Sequence, residues 1–125
     1  ESKVVIFTTN RTSKDKLDLL RSLGAEAFVH AGERVDLTQT MQTLSELGVK
    51  RLMVEGGATL NFELLRLGLV DEVYAYVAPM IFGGVSAPTM VAGSGFERSA
   101  ALPLKLVHVE KWDDGGVLLK YQLER

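Results

Sequence analysis

No cysteine occurs in the 125 residues, so a disulfide frame, a thiolate metal site and a cysteine nucleophile are all excluded. That absence favours a reducing compartment, and a cytoplasmic location is expected. An excess of positive charge is also missing: 14 Lys plus Arg stand against 16 Asp plus Glu, a net charge of −2. Neither a basic groove for nucleic acid nor a polybasic membrane patch is expected. No apolar run approaches the roughly 20 residues that a membrane-spanning helix needs. The two histidines, His30 and His108, belong to no cluster with metal-ligand spacing, so no metal is expected and a structural or surface role is assigned to both.

What is present has the balance of an ordinary globular domain, 46% hydrophobic and 24% charged residues. One domain over residues 1–125 is expected, long enough to bury a core. Glu1-Ser2-Lys3 runs directly into the apolar stretch Val4-Val5-Ile6-Phe7, which reads as a cut upstream of an interior strand.

Val4 to Thr8 is a short β-branched and aromatic run of the kind found in parallel strands buried on both faces. A helix follows, with Thr12 and Asp15 spaced as a capping box, Leu17, Leu20 and Leu23 near helical period, and Gly24 at the C-terminal stop. Ala25 to His30 forms a second strand. Asp36 and Gln39 start a second helix, whose stripe is Leu37, Met41, Leu44 and Leu47, and Gly48 ends it. Arg51 to Val54 reads as a third strand, and Leu60, Leu64 and Leu67 as a third helix closed by Gly68. This β-α-β-α-β-α alternation predicts a parallel sheet. Beyond it come a strand over Val70 to Ala78, a Gly- and Pro-punctuated loop from Pro79 to Gly95, and a hairpin. The hairpin strands, Leu104 to Trp112 and Val117 to Leu123, flank the turn Asp113-Asp114-Gly115-Gly116. Its apolar positions Val107, Val109, Val117, Leu119 and Tyr121 are assigned mostly to the core, with a twofold partner as the alternative.

The richest segment chemically is Val54-Glu55-Gly56-Gly57-Ala58-Thr59-Leu60, where a strand ends in two glycines and turns into a helix. The first N–H groups of a helix have no intrahelical acceptor, and the helix dipole places about half a positive charge there. Glycines let an anion approach the backbone closely, and Thr59 adds a hydroxyl donor. A plain tight connection is the alternative, and neither a G-x-G-x-x-G fingerprint nor a P-loop is present. For Glu55 two readings stay open: contact with amino or hydroxyl groups of a second ligand, or a local cap or pairing with Lys50 or Arg51. Gly83 and Gly84 are assigned to turns. Ser94 lacks the setting of a nucleophile elbow, and Asp71-Glu72 reads as a solvated strand entry rather than a catalytic pair.

Three ordered blocks carry a family resemblance: Arg51 to Leu60, Leu69-Val70-Asp71-Glu72-Val73, and Ala78-Pro79-Met80-Ile81-Phe82-Gly83-Gly84. Together they resemble the C-terminal part of the riboflavin-biosynthesis reductases, which have a dihydrofolate-reductase-like fold. The Glu33 to Leu37 turn and the loop from Ala87-Pro88-Thr89 to Gly93-Ser94-Gly95-Phe96 are most similar to the archaeal branch, which acts on a 2,5-diamino-6-ribosylamino-4(3H)-pyrimidinone 5′-phosphate. The resemblance implies a three-layer αβα fold with a mixed sheet, mostly parallel and ending in an antiparallel hairpin. It also implies that the chain is the C-terminal portion of a longer reductase domain.

By the same resemblance, Glu55 is the substrate-contacting acid. Gly56, Gly57, Ala58, Thr59, Leu60 and Asn61 fall on the NADP-binding turn and helix start, a block that runs to Glu63. NADPH is the implied cofactor, a phosphoribosyl pyrimidine the implied small-molecule substrate, and a homodimer the implied assembly. The implied reaction is hydride transfer to C1′ of the ribosylamino group, with no catalytic side chain named. Two alternatives are weighed: a bacterial-type 5-amino-6-(5-phosphoribosylamino)uracil reductase, and a non-catalytic nucleotide-binding or dimerisation module.

Overall fold

The computed structural model describes residues 2–124, which form two compact units, one running to Leu52 and the other starting at Met53. The fold is mixed α/β, as expected. In the first unit, strands β1 (Val5–Thr9) and β2 (Glu26–His30) pair in parallel, joined through helix α1 (Lys14–Ser22). Register sets Phe7 opposite Phe28, and their rings stack with centroids 5.3 Å apart. Aromatic cross-strand pairs of this kind are a principal source of sheet cohesion.

Helix α2 (Leu37–Glu46) starts on Asp36, whose Oδ1 accepts the Gln39 N–H at 2.9 Å, as its spacing predicts. The Asp36 N–H donates to Nδ1 of the buried His30 at 3.0 Å, so His30 serves a structural role at the end of β2. The cap of α1 differs from expectation. Ser13 accepts the Lys16 N–H, whereas the Thr12 hydroxyl bonds Thr8 Oγ1. The Thr12 N–H closes a turn onto the Thr9 carbonyl, which commits Thr12 to the strand exit and leaves capping to the next residue.

Arg51 to Val54 does not form the expected third strand. Aliphatic composition favours an extended chain, but a strand also needs a neighbouring edge for its N–H and C=O groups. This segment joins neither sheet. The parallel sheet therefore has two strands, and the larger sheet is antiparallel.

The second unit begins with helix α3 (Ala58–Arg66) and contains strands β3 (Glu72–Val77), β4 (Leu104–Lys111) and β5 (Val117–Leu123), with a short 3-10 turn at Arg98–Ala100. The hairpin falls where the sequence places it, but β5 lies at the centre of the order β3-β5-β4. Across β3 and β5, Tyr74 faces Lys120. Lys120 Nζ lies 2.9 Å from Glu72, which also accepts the Tyr74 hydroxyl at 3.1 Å. Glu72 is thus committed to a cross-strand ion pair, in keeping with a non-catalytic reading. Val117, Leu119 and Tyr121 on β5 are half-buried, but Val107 and Val109 on β4 are exposed.

All three α-helices end alike. Gly24, Gly48 and Gly68 have φ of +89°, +90° and +68°. Each donates its N–H to the carbonyl three residues back, and the residue after it donates to the carbonyl five residues back. This is the Schellman closure, which satisfies carbonyls the helix leaves over. A Cβ at Gly48 would meet nothing within 4 Å, so only backbone conformation opposes a side chain there. Gly48→Ala is expected to lower stability by about 1 kcal/mol, measured as a shift in the urea midpoint at constant slope.

The hairpin turn is held by polar groups. The Tyr76 hydroxyl donates to Asp114 Oδ2, and the Gly116 N–H donates to Oδ1 at 2.8 Å. The Tyr76 hydrogen bond, followed by that from Gly116, holds the Asp114 carboxyl below the usual carboxylate range. The same bond holds the Tyr76 phenol above its usual range. Folding favours the Asp114 carboxylate, so its contribution is present above about pH 4 and is lost as pH falls through the lowered value. The neutral phenol is also favoured, so its contribution is present below about pH 10 and lost as pH rises past that. Tyr76→Phe should raise the titration of the Asp114 carboxyl toward the ordinary carboxylate range, followed by carboxyl-carbon NMR.

Candidate functional site

The N-terminus of α3 is set up by its preceding glycines. Gly56 has a φ of +101°, in the left-handed region where a side chain is strained, and a Cβ there would lie 3.4 Å from Asn61 Nδ2. Gly57 is the N-cap, with extended backbone at φ −72° and ψ −177° that any residue adopts. The peptide joining the two glycines is cis. The first intrahelical bond runs from the Asn61 N–H to the Gly57 carbonyl at 3.0 Å, which leaves the N–H groups from Gly57 to Leu60 outside the helical ladder.

Among the described residues no side chain caps this end. In α1 and α2 the equivalent donors meet Ser13 and Asp36. A Cβ built on Gly57 would meet no atom within 4 Å, so the space before the helix is open. An open, uncapped first turn with the positive end of the helix dipole is suited chemically to an anionic group. Thr59 is exposed at the second helical position, and Ala58 and Leu60 are half-buried. Glu55, just ahead of the glycines, is exposed, and among the described residues its carboxylate has no hydrogen-bond or ion-pair partner.

The loop after β3 returns to this helix. The Ala92 N–H donates to the Ala58 carbonyl at 3.0 Å, and Asn61 Nδ2 donates to the Met90 carbonyl at 2.9 Å. Phe62, buried at 2% exposure, packs on Phe96 with ring centroids 5.0 Å apart. Gly93 lies so close to the Phe62 ring that a Cβ would sit 2.7 Å from its Cγ. The glycine here makes room for an aromatic ring. The apolar spacing Leu60, Leu64, Leu67 misses Phe62 as a core residue. The glycine and aromatic in Gly93-Ser94-Gly95-Phe96 were its only local signal.

Ser94 is exposed on the loop, with no strand-turn-helix setting. His108 is exposed on β4, 3.9 Å from Glu110. A shallow depression at the hairpin is lined by Glu110, Lys111, Trp112, Asp113 and Asp114 and includes none of the glycine-turn residues. Among the described residues no group of three or more His, Cys, Asp or Glu is arranged to hold a metal ion. No described helix is long and apolar enough to cross a membrane.

Comparison with known proteins places this geometry in context. A family described as the RibD C-terminal domain matches residues 1–118. The 2,5-diamino-6-ribosylamino-4(3H)-pyrimidinone 5′-phosphate reductase of Aquifex aeolicus is 42% identical over 98 residues, covering 78% of this chain and 44% of that protein. The enzyme of the same name from Methanothermobacter thermautotrophicus is 42% identical over 107 residues, covering 85% and 49%. The riboflavin biosynthesis protein RibD of Bacillus amyloliquefaciens is 33% identical over 98 residues, covering 78% and 26%. The chain thus spans half or less of the length of these curated relatives.

Solved structures agree on the fold. A pyrimidine reductase-like protein from Corynebacterium diphtheriae superposes with a TM-score of 0.82 at 23% identity, over 97% of this chain and 50% of that one. RibD of Acinetobacter baumannii superposes with a TM-score of 0.77 at 28% identity, over 97% and 31%.

Proposed function

The chain belongs to the RibD C-terminal domain family, and from that membership and the open start of α3 we propose that it supplies the cofactor side of an NADPH-dependent reductase of riboflavin biosynthesis. The reaction proposed is reduction of the ribosylamino group of a pyrimidinone 5′-phosphate to ribitylamino. One hydride adds to C1′ of the ring-opened imine, and one proton adds to its nitrogen. NADPH, when bound, supplies the hydride.

The observation that carries the reading is the uncapped first turn of α3, with room in front of Gly57. Gly56, Gly57, Ala58, Thr59, Leu60 and Asn61 make up the turn and helix start assigned to NADPH. Of these, the main-chain N–H groups from Gly57 to Leu60, outside the helical ladder, would hold an anionic part of the cofactor where a side-chain cap otherwise sits. Glu55 is assigned to the substrate: its unpartnered carboxylate is free to accept hydrogen bonds from amino or hydroxyl groups. Reduction of an imine in a closed site depends chiefly on holding donor and acceptor carbons in contact with water kept out, so no catalytic side chain is named. A homodimer is proposed as the working form. The exposure of Leu104, Leu106, Val107 and Val109 along β4 supports it.

Gly57→Asp tests the cradle cleanly. Its backbone conformation accepts a side chain, and aspartate is a favoured N-cap that would change helix stability by only a few tenths of a kcal/mol. Its carboxylate would take the N–H groups and repel an anion. NADPH binding, followed by cofactor fluorescence in this chain and in a version extended to the length of its relatives, should be lost while the thermal midpoint is kept. Unchanged affinity would remove the site.

For Glu55→Gln the expected outcome is at least about a tenfold rise in KM for the pyrimidine, from loss of a charge-assisted hydrogen bond, with NADPH affinity unchanged. Steady-state kinetics on the extended version give both numbers, and the reverse pattern would undo the assignment.

A further inference from the structure

We infer that Asn61 is a positioning residue: its amide latches the Met90–Gly93 segment onto the first turn of α3 and so fixes one wall of the proposed cofactor cradle. The inference rests on the cofactor reading above. It gives Asn61 a role different from cofactor contact: one of its two side-chain N–H groups is committed to the Met90 carbonyl, and its main-chain N–H to the Gly57 carbonyl.

Three observations converge on this side chain. Asn61 Nδ2 donates to the Met90 carbonyl at 2.9 Å, a bond that spans 29 residues of sequence. The same Nδ2 lies 3.4 Å from the point where a Gly56 Cβ would sit, so the amide is packed against the glycine turn as well as the loop. Two residues beyond Met90, the Ala92 N–H donates to the Ala58 carbonyl at 3.0 Å, in the same helical turn that offers its N–H groups to an anion. One amide thus touches the turn before the helix and the loop beside it. The loop is also anchored to α3 by the Ala92 hydrogen bond and the packing of Gly93 and Phe96 on Phe62.

The segment itself has no regular structure to keep it in place. Residues 90–97 form no helix or strand, and the preceding stretch through Ile81, Phe82 and Val85 is nearly fully exposed. Local anchoring is then what selects one loop conformation from many, and each anchor lost returns conformational entropy to the loop. A looser loop leaves the cradle's geometry unpaid for until the cofactor binds, which appears as weaker affinity rather than slower chemistry at saturation.

The test compares Asn61→Asp, Asn61→Gln and Gly57→Asp with the parent protein. Asn61→Asp keeps the shape but sets a carboxylate against the Met90 carbonyl. Without NADPH present, its Ala92 amide should exchange with solvent deuterium about tenfold faster, the scale of one hydrogen bond. The NADPH Kd should rise by about the same factor. Asn61→Gln retains a donor and should recover most of the affinity.

Unchanged Ala92 exchange in Asn61→Asp overturns the latch, and so does faster exchange with an unchanged Kd. Equal loss in the Gln and Asp variants also overturns it. Gly57→Asp separates the two ideas, because it alters the cradle without touching the latch. Lost binding there with none lost in Asn61→Asp defeats only the latch, whereas retained binding in both defeats the cradle and the latch's role in it.

Discussion

The contact between Phe62 and the loop carrying Gly93 and Phe96 is the constraint on which the second unit is organised. Among the described residues, Phe62 and Leu64 are the apolar side chains buried to 2% exposure, and both lie on α3. Burying an aromatic side chain contributes about 2–3 kcal/mol, far more than any single exposed hydrogen bond in this loop. The ring therefore sets the loop's position, and the two hydrogen bonds at Ala58 and Asn61 set its register. A residue with a Cβ at position 93 would collide with the ring, so the glycine is required by packing as well as by its φ of +77°.

The three helices show how the same chain chemistry can be closed or left open. Their C-termini are finished identically by glycines that return N–H groups to leftover carbonyls. Two N-termini are finished by Ser13 and Asp36, but the third begins on Gly57 with no side-chain cap among the described residues. A side-chain cap and a bound anion compete for the same N–H groups, so a helix that is to receive an anion must forgo the cap's modest stabilisation. The packing of Phe62 and Leu64 offsets that loss, because α3 is held by its buried face rather than by its ends.

The antiparallel sheet is secured by paired polar and aromatic contacts. Lys120 lies between Glu72 and the Tyr74 ring, and Tyr76 packs on Trp112 while bonding the turn carboxylate of Asp114. These interactions are largely exposed, so their worth lies in specifying strand register more than in raw stability. A one-residue slip would part Tyr74 from Lys120 and move Tyr76 away from Asp114. With register held this way, β4 can keep an apolar surface open without losing its place beside β5.

Elements with local causes are legible in the residue pattern alone. Periodic leucines with a following glycine located the helices and their ends. Asp36 and Gln39 marked a cap, Asp113 to Gly116 marked the hairpin turn, and the Gly56-Gly57 pair marked the candidate site. Each depends on residues within a few positions of one another. Features that depend on distant partners emerge only once the chain is folded. Arg51 to Val54 forms no strand because a strand is made by its neighbour, and β5 becomes the central strand because β3 and β4 both find its edges. Asn61 meets Met90 and Phe62 meets Gly93 across about thirty residues, contacts that no local pattern encodes because the loop between them has no period of its own.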